Sequence, residues 1–226
     1  SGEGPSATSA NYVSGKKDTD DLVKSISGLE KIAKVKTETL FSSGSENLGP
    51  KQWKILAKKI ELLNNNSEID GIVITHGTDT LEEVAFFLDL VCKPKKPIVL
   101  TGAMRSSTAL GSDGPSNIFH ATLAASCYKL RDHGILVVMN SFLISGWQII
   151  KTDSLALDSF SAYPGSAVGK IIGEEIILFG LPNPSPISGK FKNHLKNDRE
   201  LPFVEIIFLR GTNCESLIRN WSHINP

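Results

Sequence analysis

Apolar residues recur along the chain in two alternating rhythms. Leu22, Val23, Ile26 and Leu29 stand at helical spacing behind Asp20 and Asp21, which predicts a first helix over 20–29. Residues 35–41 read as a short strand that runs into a turn-rich stretch over 42–49. Pro50 then opens a second helix. Its face of Trp53, Leu56, Ala57, Ile60 and Leu63 is apolar, Lys51, Lys54, Lys58 and Lys59 form a solvated side, and Asn64 to Asn66 end it. Gly71-Ile-Val-Ile-Thr is a continuous β-branched run, the pattern of a parallel strand covered on both faces. Thr80-Leu-Glu-Glu83 matches a capping box, with Leu81, Val84, Ala85, Leu88, Val91 and Cys92 continuing at helical spacing. A strand over 97–100, a loop over 102–114, a helix over 115–130 and a strand over 134–140 follow. Strand, helix, strand, helix, strand at this spacing calls for right-handed crossovers and a mostly parallel sheet flanked by helices, an α/β fold.

The later chain is less regular. Residues 165–179 read as two short strands around Gly173, with a hairpin as one arrangement. The Pro-, Ser-, Asn- and Lys-rich stretch over 181–201 reads as a linker. A strand over 204–209 and a helix over 214–221 then start a second, smaller α/β unit. The expected division is therefore an N-terminal domain over 1–180, the linker, and the beginning of a second domain over 202–226.

Length and charge narrow the function classes. A chain of 226 residues buries a sizeable core without a disulfide or metal staple. Lys plus Arg and Asp plus Glu balance at 24 each, so no net field favours nucleic acid or an anionic membrane surface. The longest apolar runs fall far short of the ~20 residues of a membrane-spanning helix. Cys92, Cys127 and Cys214 allow at most one bridge, and with no C-x-x-C pattern a metal site is not expected.

Chemistry is expected where open parallel sheets bind ligands, outside the carboxyl ends of the strands. The segments 76–79 and 101–117 both fall there and supply hydroxyls, a carboxylate and glycines that admit close approach of backbone. Each has a plain structural alternative: Thr-Asp-Thr as a helix cap, and Gly-Ser-Asp-Gly-Pro as a turn plus helix start. His76 is as readily a structural histidine as a participant. Gly165-Ser-Ala-Val-Gly-Lys170 is one residue short of a phosphate-binding loop, with Ile171 where a hydroxyl residue is needed. A nucleophile elbow of the Gly-x-Ser-x-Gly type does not occur.

At these loops the sequence resembles a known family. Gly71-Ile-Val-Ile-Thr-His-Gly-Thr-Asp-Thr-Leu-Glu-Glu83 and Pro97-Ile-Val-Leu-Thr-Gly-Ala-Met-Arg105 look like the central signatures of bacterial-type L-asparaginases. Ser112-Asp-Gly-Pro-Ser-Asn117, Ser9-Ala-Asn-Tyr-Val-Ser-Gly15, Gly44-Ser-Glu46 and Lys151-Thr-Asp153 continue the likeness in order. The resemblance implies hydrolysis of L-asparagine to L-aspartate and ammonia through a threonine acyl-enzyme, with no metal or cofactor. Thr78, Asp79 and Lys151 match the family's proton-handling triad, in which the lysine must lose its proton to act as a base. Tyr12 matches the mobile-loop tyrosine beside the primary nucleophile. Ser45 and Glu46 match positions that hold the substrate's α-carboxylate and α-amino groups. Asp79 also faces that ammonium, and Gly77 and Ala103 match backbone contacts near the reacting amide. The family's first signature, which holds the primary threonine, is expected ahead of Ser1, and most of the second domain after Pro226. The family assembles as tetramers of intimate dimers. The loop around Asn11 and Tyr12 suits the exported type, so a periplasmic or secreted protein is expected, with the cytoplasm as the alternative. The rival functions are a dual glutaminase–asparaginase and a non-catalytic module that binds an amino acid or serves assembly.

Overall fold

In the computed structural model, which describes residues 19–180, 184–195, 201, 202, 204 and 206, the three apolar runs lie side by side as the first three strands, in spatial order, of a six-stranded sheet. Strands β1 (Ile72–Thr75), β2 (Ile98–Thr101) and β3 (Ile135–Met139) pair in parallel, Ile72 beside Ile98 and Ile98 beside Ile135. Three helices cover them: α3 (Pro50–Asn65), α4 (Leu81–Val91) and α5 (Gly114–Ser126). Side chains alternate across a strand, so each face of the sheet takes every second residue. Ile98, Leu100, Ile135, Val137 and Met139 pack with Ile60 of α3 and Leu81, Val84 and Leu88 of α4. Val99, Leu136 and Val138 turn to the other face, against Ala121, Ala124 and Ala125 of α5. Every residue of β2 and β3 is buried, which is why these two strands read as apolar runs, while β1 is buried at Ile72 and half-buried at Val73 and Ile74.

Two short helices precede these, α1 (Thr19–Lys24) and α2 (Leu29–Ile32). The single helix expected over 20–29 is therefore broken, at Gly28, whose φ of 86° is left-handed. The stretch 35–41, expected as a strand, makes no sheet pairing among the described residues and runs as irregular chain. The helix expected to reach Leu130 stops at Ser126, and Tyr128–Leu130 is a separate 3-10 turn.

Beyond β3 the sheet turns antiparallel. Strand β4 (Phe142–Ser145) returns along β3 through a two-residue turn at Asn140 and Ser141, both at positive φ of 47° and 67°. Strands β5 (Ile149–Lys151) and β6 (Phe160–Ala162) form a separate two-stranded ribbon. Strands β7 (Gly169–Ile172) and β8 (Glu175–Leu178) are the hairpin around Gly173, and β7 pairs with β4. Of the six sheet strands, β1, β2, β3 and β7 run in one direction.

Part of the stretch over 184–195 packs on α4. Asp89 of α4 is fully buried; its carboxylate accepts the Ile135 N–H at 2.9 Å and the Ser185 hydroxyl, while its carbonyl accepts the Gly189 N–H. Burial holds the Asp89 carboxyl above its ordinary value of 3.8, against smaller downward pulls from Ser185, Ile135 and Ser188. A raised pKa means that ionisation costs stability. The carboxyl's contribution is fully favourable below 3.8 and is lost as pH rises through the raised value. Asp89→Asn is expected to flatten that dependence. Asp89→Ala leaves the buried Ile135 N–H without its acceptor and is expected to cost about 1–3 kcal/mol near neutral pH. Urea midpoints of both variants at acid and neutral pH check the two expectations.

The second-domain strand and helix expected over 204–209 and 214–221 lie outside the described residues apart from Val204 and Ile206, as do Tyr12 and Cys214. Among the described residues no helix is long and apolar enough to cross a membrane.

Candidate active site

The carboxyl ends of β1 and β2 carry Gly77, Thr78, Asp79 and Ala103 of the expected site. The His76 N–H donates to the Thr101 carbonyl at 2.8 Å, which extends the β1–β2 pairing one step past both strands. Burial holds the His76 imidazole below its ordinary value of 6.5, against the smaller opposing effect of its bond to Gly77. The ring is therefore neutral near pH 7, and Nδ1–H donates to the Gly77 carbonyl at 2.8 Å. In this arrangement His76 fixes the start of the loop.

Two glycines let the loops approach one another. A Cβ on Gly77 would sit 2.5 Å from the Ser45 Oγ, and one on Gly102 would sit 2.7 Å from the His76 carbonyl oxygen and 3.1 Å from the Thr78 methyl. The missing side chains leave room for the Ser45 hydroxyl of the 3-10 turn Ser45–Asn47 against Gly77, and for the His76 carbonyl and Thr78 methyl against Gly102. Ser45 is buried there, and the neighbouring Glu46 is exposed with its carboxylate accepting from Asn47 Nδ2 at 3.1 Å.

Thr78, Asp79 and Lys151 converge. Thr78 is 6% exposed, and Lys151 Nζ lies 3.2 Å from its Oγ1 and 3.3 Å from Asp79 Oδ1. The lysine arrives from β5, where its ammonium also lies 5.9 Å from the centre of the Phe160 ring on β6. An amine within hydrogen-bond reach of both a hydroxyl and a carboxylate can pass a proton to or from the hydroxyl while the carboxylate balances its charge. Among the described residues no group of three or more His, Cys, Asp or Glu side chains is placed to hold a metal ion.

Four further contributors were not evident from sequence. Thr80 stands at the N-cap of α4 but makes no side-chain cap bond there. Its hydroxyl donates instead to the Ser45 carbonyl at 3.0 Å, tying the 45–47 turn to the Thr78 loop. The capping box expected over 80–83 therefore does not form, because the capping hydroxyl is taken by a tertiary contact. Asp113 and Asn117 shape the backbone around Ala103. Asp113 accepts the Met104 and Arg105 N–H groups, both at 2.9 Å, while Asn117 donates to the Gly102 carbonyl at 3.0 Å and to Asp113 at 3.0 Å. The Asn117 amide oxygen accepts the Asn140 N–H at 3.1 Å, so the β3–β4 turn is bound into the same network. Glu82 accepts the Lys151 backbone N–H. The available signal was position alone: all four lie within a turn of the two strand-end loops.

Comparisons with known proteins bear on this arrangement. Residues 4–182 match the family model described as Asparaginase, N-terminal. The chain is 41% identical over 170 residues to "L-asparaginase 2" of Escherichia coli (strain K12), covering 75% of this chain and 48% of that protein. It is 34% identical over 214 residues to "Glutaminase-asparaginase" of Pseudomonas fluorescens biotype A, covering 94% and 58%. The crystal structure of "Probable Cytoplasmic L-asparaginase from Campylobacter jejuni" superimposes with a TM-score of 0.76 at 36% identity, over 80% of this chain and 55% of that one. The chain spans about half the length of the curated relatives it matches. With the family model matched over most of its length and its strand-end signatures folded into one site, the chain belongs to the asparaginase family.

Proposed function

We propose that the protein carrying this chain hydrolyses L-asparagine to L-aspartate and ammonia through a threonine acyl-enzyme. The observation that supports it most is the position of Lys151 Nζ, within hydrogen-bond reach of both the Thr78 hydroxyl and the Asp79 carboxylate. In this reading a primary threonine, which the family pattern puts ahead of Ser1 and beside Tyr12, attacks the side-chain carbonyl. Ammonia leaves after taking a proton, and water then cleaves the acyl ester. Thr78, Lys151 and Asp79 move the protons of these steps. Ser45 and Glu46 hold the α-carboxylate and α-amino groups, with Asp79 also facing the ammonium. Backbone N–H groups at Gly77 and Ala103 stabilise the oxyanion, and the Asp113–Asn117 network keeps the second of them in place. The active assembly in this reading is a tetramer of intimate dimers, working in the periplasm or outside the cell.

A dual glutaminase–asparaginase is the second reading, favoured by Glu46 and by the likeness to the Pseudomonas protein of that name. Ammonia release measured on L-asparagine and L-glutamine separates the two, and release from neither overturns both. The Glu46 carboxylate is exposed beside buried Ser45, where it can pair with a substrate ammonium. A stronger anchor at the α-end tolerates a looser fit at the amide end, where one methylene is worth only ~1–3 kcal/mol of discrimination. Glu46→Gln is therefore expected to raise the ratio of kcat/KM for asparagine over glutamine. An unchanged or lowered ratio removes Glu46 as the determinant.

A further inference from the structure

We infer that Glu82 is a positioning residue for Lys151: by holding the lysine's backbone N–H, its carboxylate sets where Nζ meets Thr78 and Asp79. The inference deepens the reading of the reaction given above and rests on it for its kinetic consequences.

The geometry begins with the ribbon that carries Lys151. Strand β5 is three residues long and among the described residues pairs only with β6, with Ile150 beside Ser161 and Lys151 beside Phe160. Thr152 N–H donates to the Ser159 carbonyl, and Tyr163 N–H donates to the Gln148 carbonyl. In an antiparallel pair these bonds recur at every second residue, so the even positions 148, 150 and 152 face β6. The N–H of Lys151 points the other way, off the open edge of the ribbon. A backbone donor on such an edge needs a partner, and an edge without one is free to slide or fray.

Glu82 supplies that partner from the first turn of α4. The helix is a firm base, since Leu81, Val84, Ala85 and Leu88 are all fully buried against the sheet. Thr78 and Asp79 lie in the loop that leads directly into the same helix, four and three residues before Glu82. One strand–loop–helix unit thus carries the hydroxyl, the carboxylate and the clamp on the lysine's main chain. Lys151 is fixed at both ends, Nζ by Thr78 and Asp79 and N–H by Glu82. A lysine stem has four rotatable bonds. Holding only its tip would leave the ribbon free to shift, whereas holding both ends determines the reach of the amine.

The test uses the full-length protein with Glu82→Ala and Glu82→Gln. Alanine removes the acceptor, while glutamine keeps a carbonyl oxygen at the same reach and drops the charge. Misplacing a reacting group by an ångström costs up to ~100-fold, so Glu82→Ala is expected to lower kcat on asparagine by about 10- to 100-fold with KM within about threefold. Glu82→Gln is expected to recover most of that loss. Amide hydrogen exchange gives a readout independent of turnover: the Lys151 N–H should exchange at least about tenfold faster in Glu82→Ala, with the amides of β1 to β3 unchanged. Glutamine as damaging as alanine would assign Glu82 an electrostatic role and overturn the inference. So would KM and thermal stability falling together with kcat, or an unchanged Lys151 amide. If the wild-type protein hydrolyses neither amide, the reading of the reaction falls, and the exchange measurement alone decides whether Glu82 anchors the lysine.

Discussion

Replacing Thr78 with valine is expected to lower turnover on asparagine by at least ~100-fold and to leave the fold intact. Valine keeps the branched shape and the methyl group that lies near Gly102, and removes only the hydroxyl. The site is 6% exposed, so shape matters there, and alanine alone would mix a lost hydroxyl with a lost contact. The missing oxygen is the one Lys151 Nζ meets at 3.2 Å. A positioned proton-transfer group contributes ~10²- to 10⁴-fold, which sets the lower bound. The structural alternative is weak on geometry, because the N-cap of α4 is Thr80, two residues on, and neither caps by its side chain. Steady-state turnover on purified full-length protein, with thermal melting as the control, settles the matter. Near-wild-type turnover of Thr78→Val would return the residue to a purely structural role.

The parts of the fold that were legible in the sequence are those governed by burial on two faces. The runs that became β1, β2 and β3 announce themselves because at least three apolar residues follow one another without a polar break, and α3 and α4 because their apolar spacing is helical throughout. Strand β4 escaped notice because its turn is Asn140-Ser141, where left-handed backbone is usually marked by glycine. The stretch 35–41 alternates like a strand, yet among the described residues no neighbour pairs with it, and pattern alone carries no information about partners.

The site divides along the same line. His76 to Asp79 could be located from the end of an apolar run followed by a helix start, a local signal. Lys151 could not, since it meets Thr78 across 73 positions and sits in a three-residue strand of no distinct composition. Only the family resemblance singled it out. Thr80, read as a capping residue, and Asp113, read as part of a turn and helix start, behave alike in the structure. Each stands where a short polar residue usually caps a helix, and each makes no cap bond because its side chain is used across loops. Local chemistry predicts the residue type at a helix start correctly and its hydrogen-bond partner wrongly when a tertiary acceptor or donor is nearer.

The second large effect concerns whether Thr78 and Lys151 act as one unit. Lys151→Met keeps an unbranched stem of similar length over Phe160 and removes the amine. It is expected to cut turnover by at least ~100-fold, in the same range as Thr78→Val. Groups that act together in one step lose their value together, so the double variant Thr78→Val with Lys151→Met should fall no more than about tenfold below the worse single variant. Independent roles would instead multiply, giving a loss near the product of the two. Stability does not confuse the comparison. The Lys151–Asp79 pair is open to solvent on its acidic side, with Asp79 56% exposed at 3.3 Å from Nζ, and screened pairs of this kind contribute only ~0–1 kcal/mol. A fully multiplicative loss in the double variant would therefore separate Lys151 from the Thr78 hydroxyl, and leave the amine a role confined to pairing with Asp79.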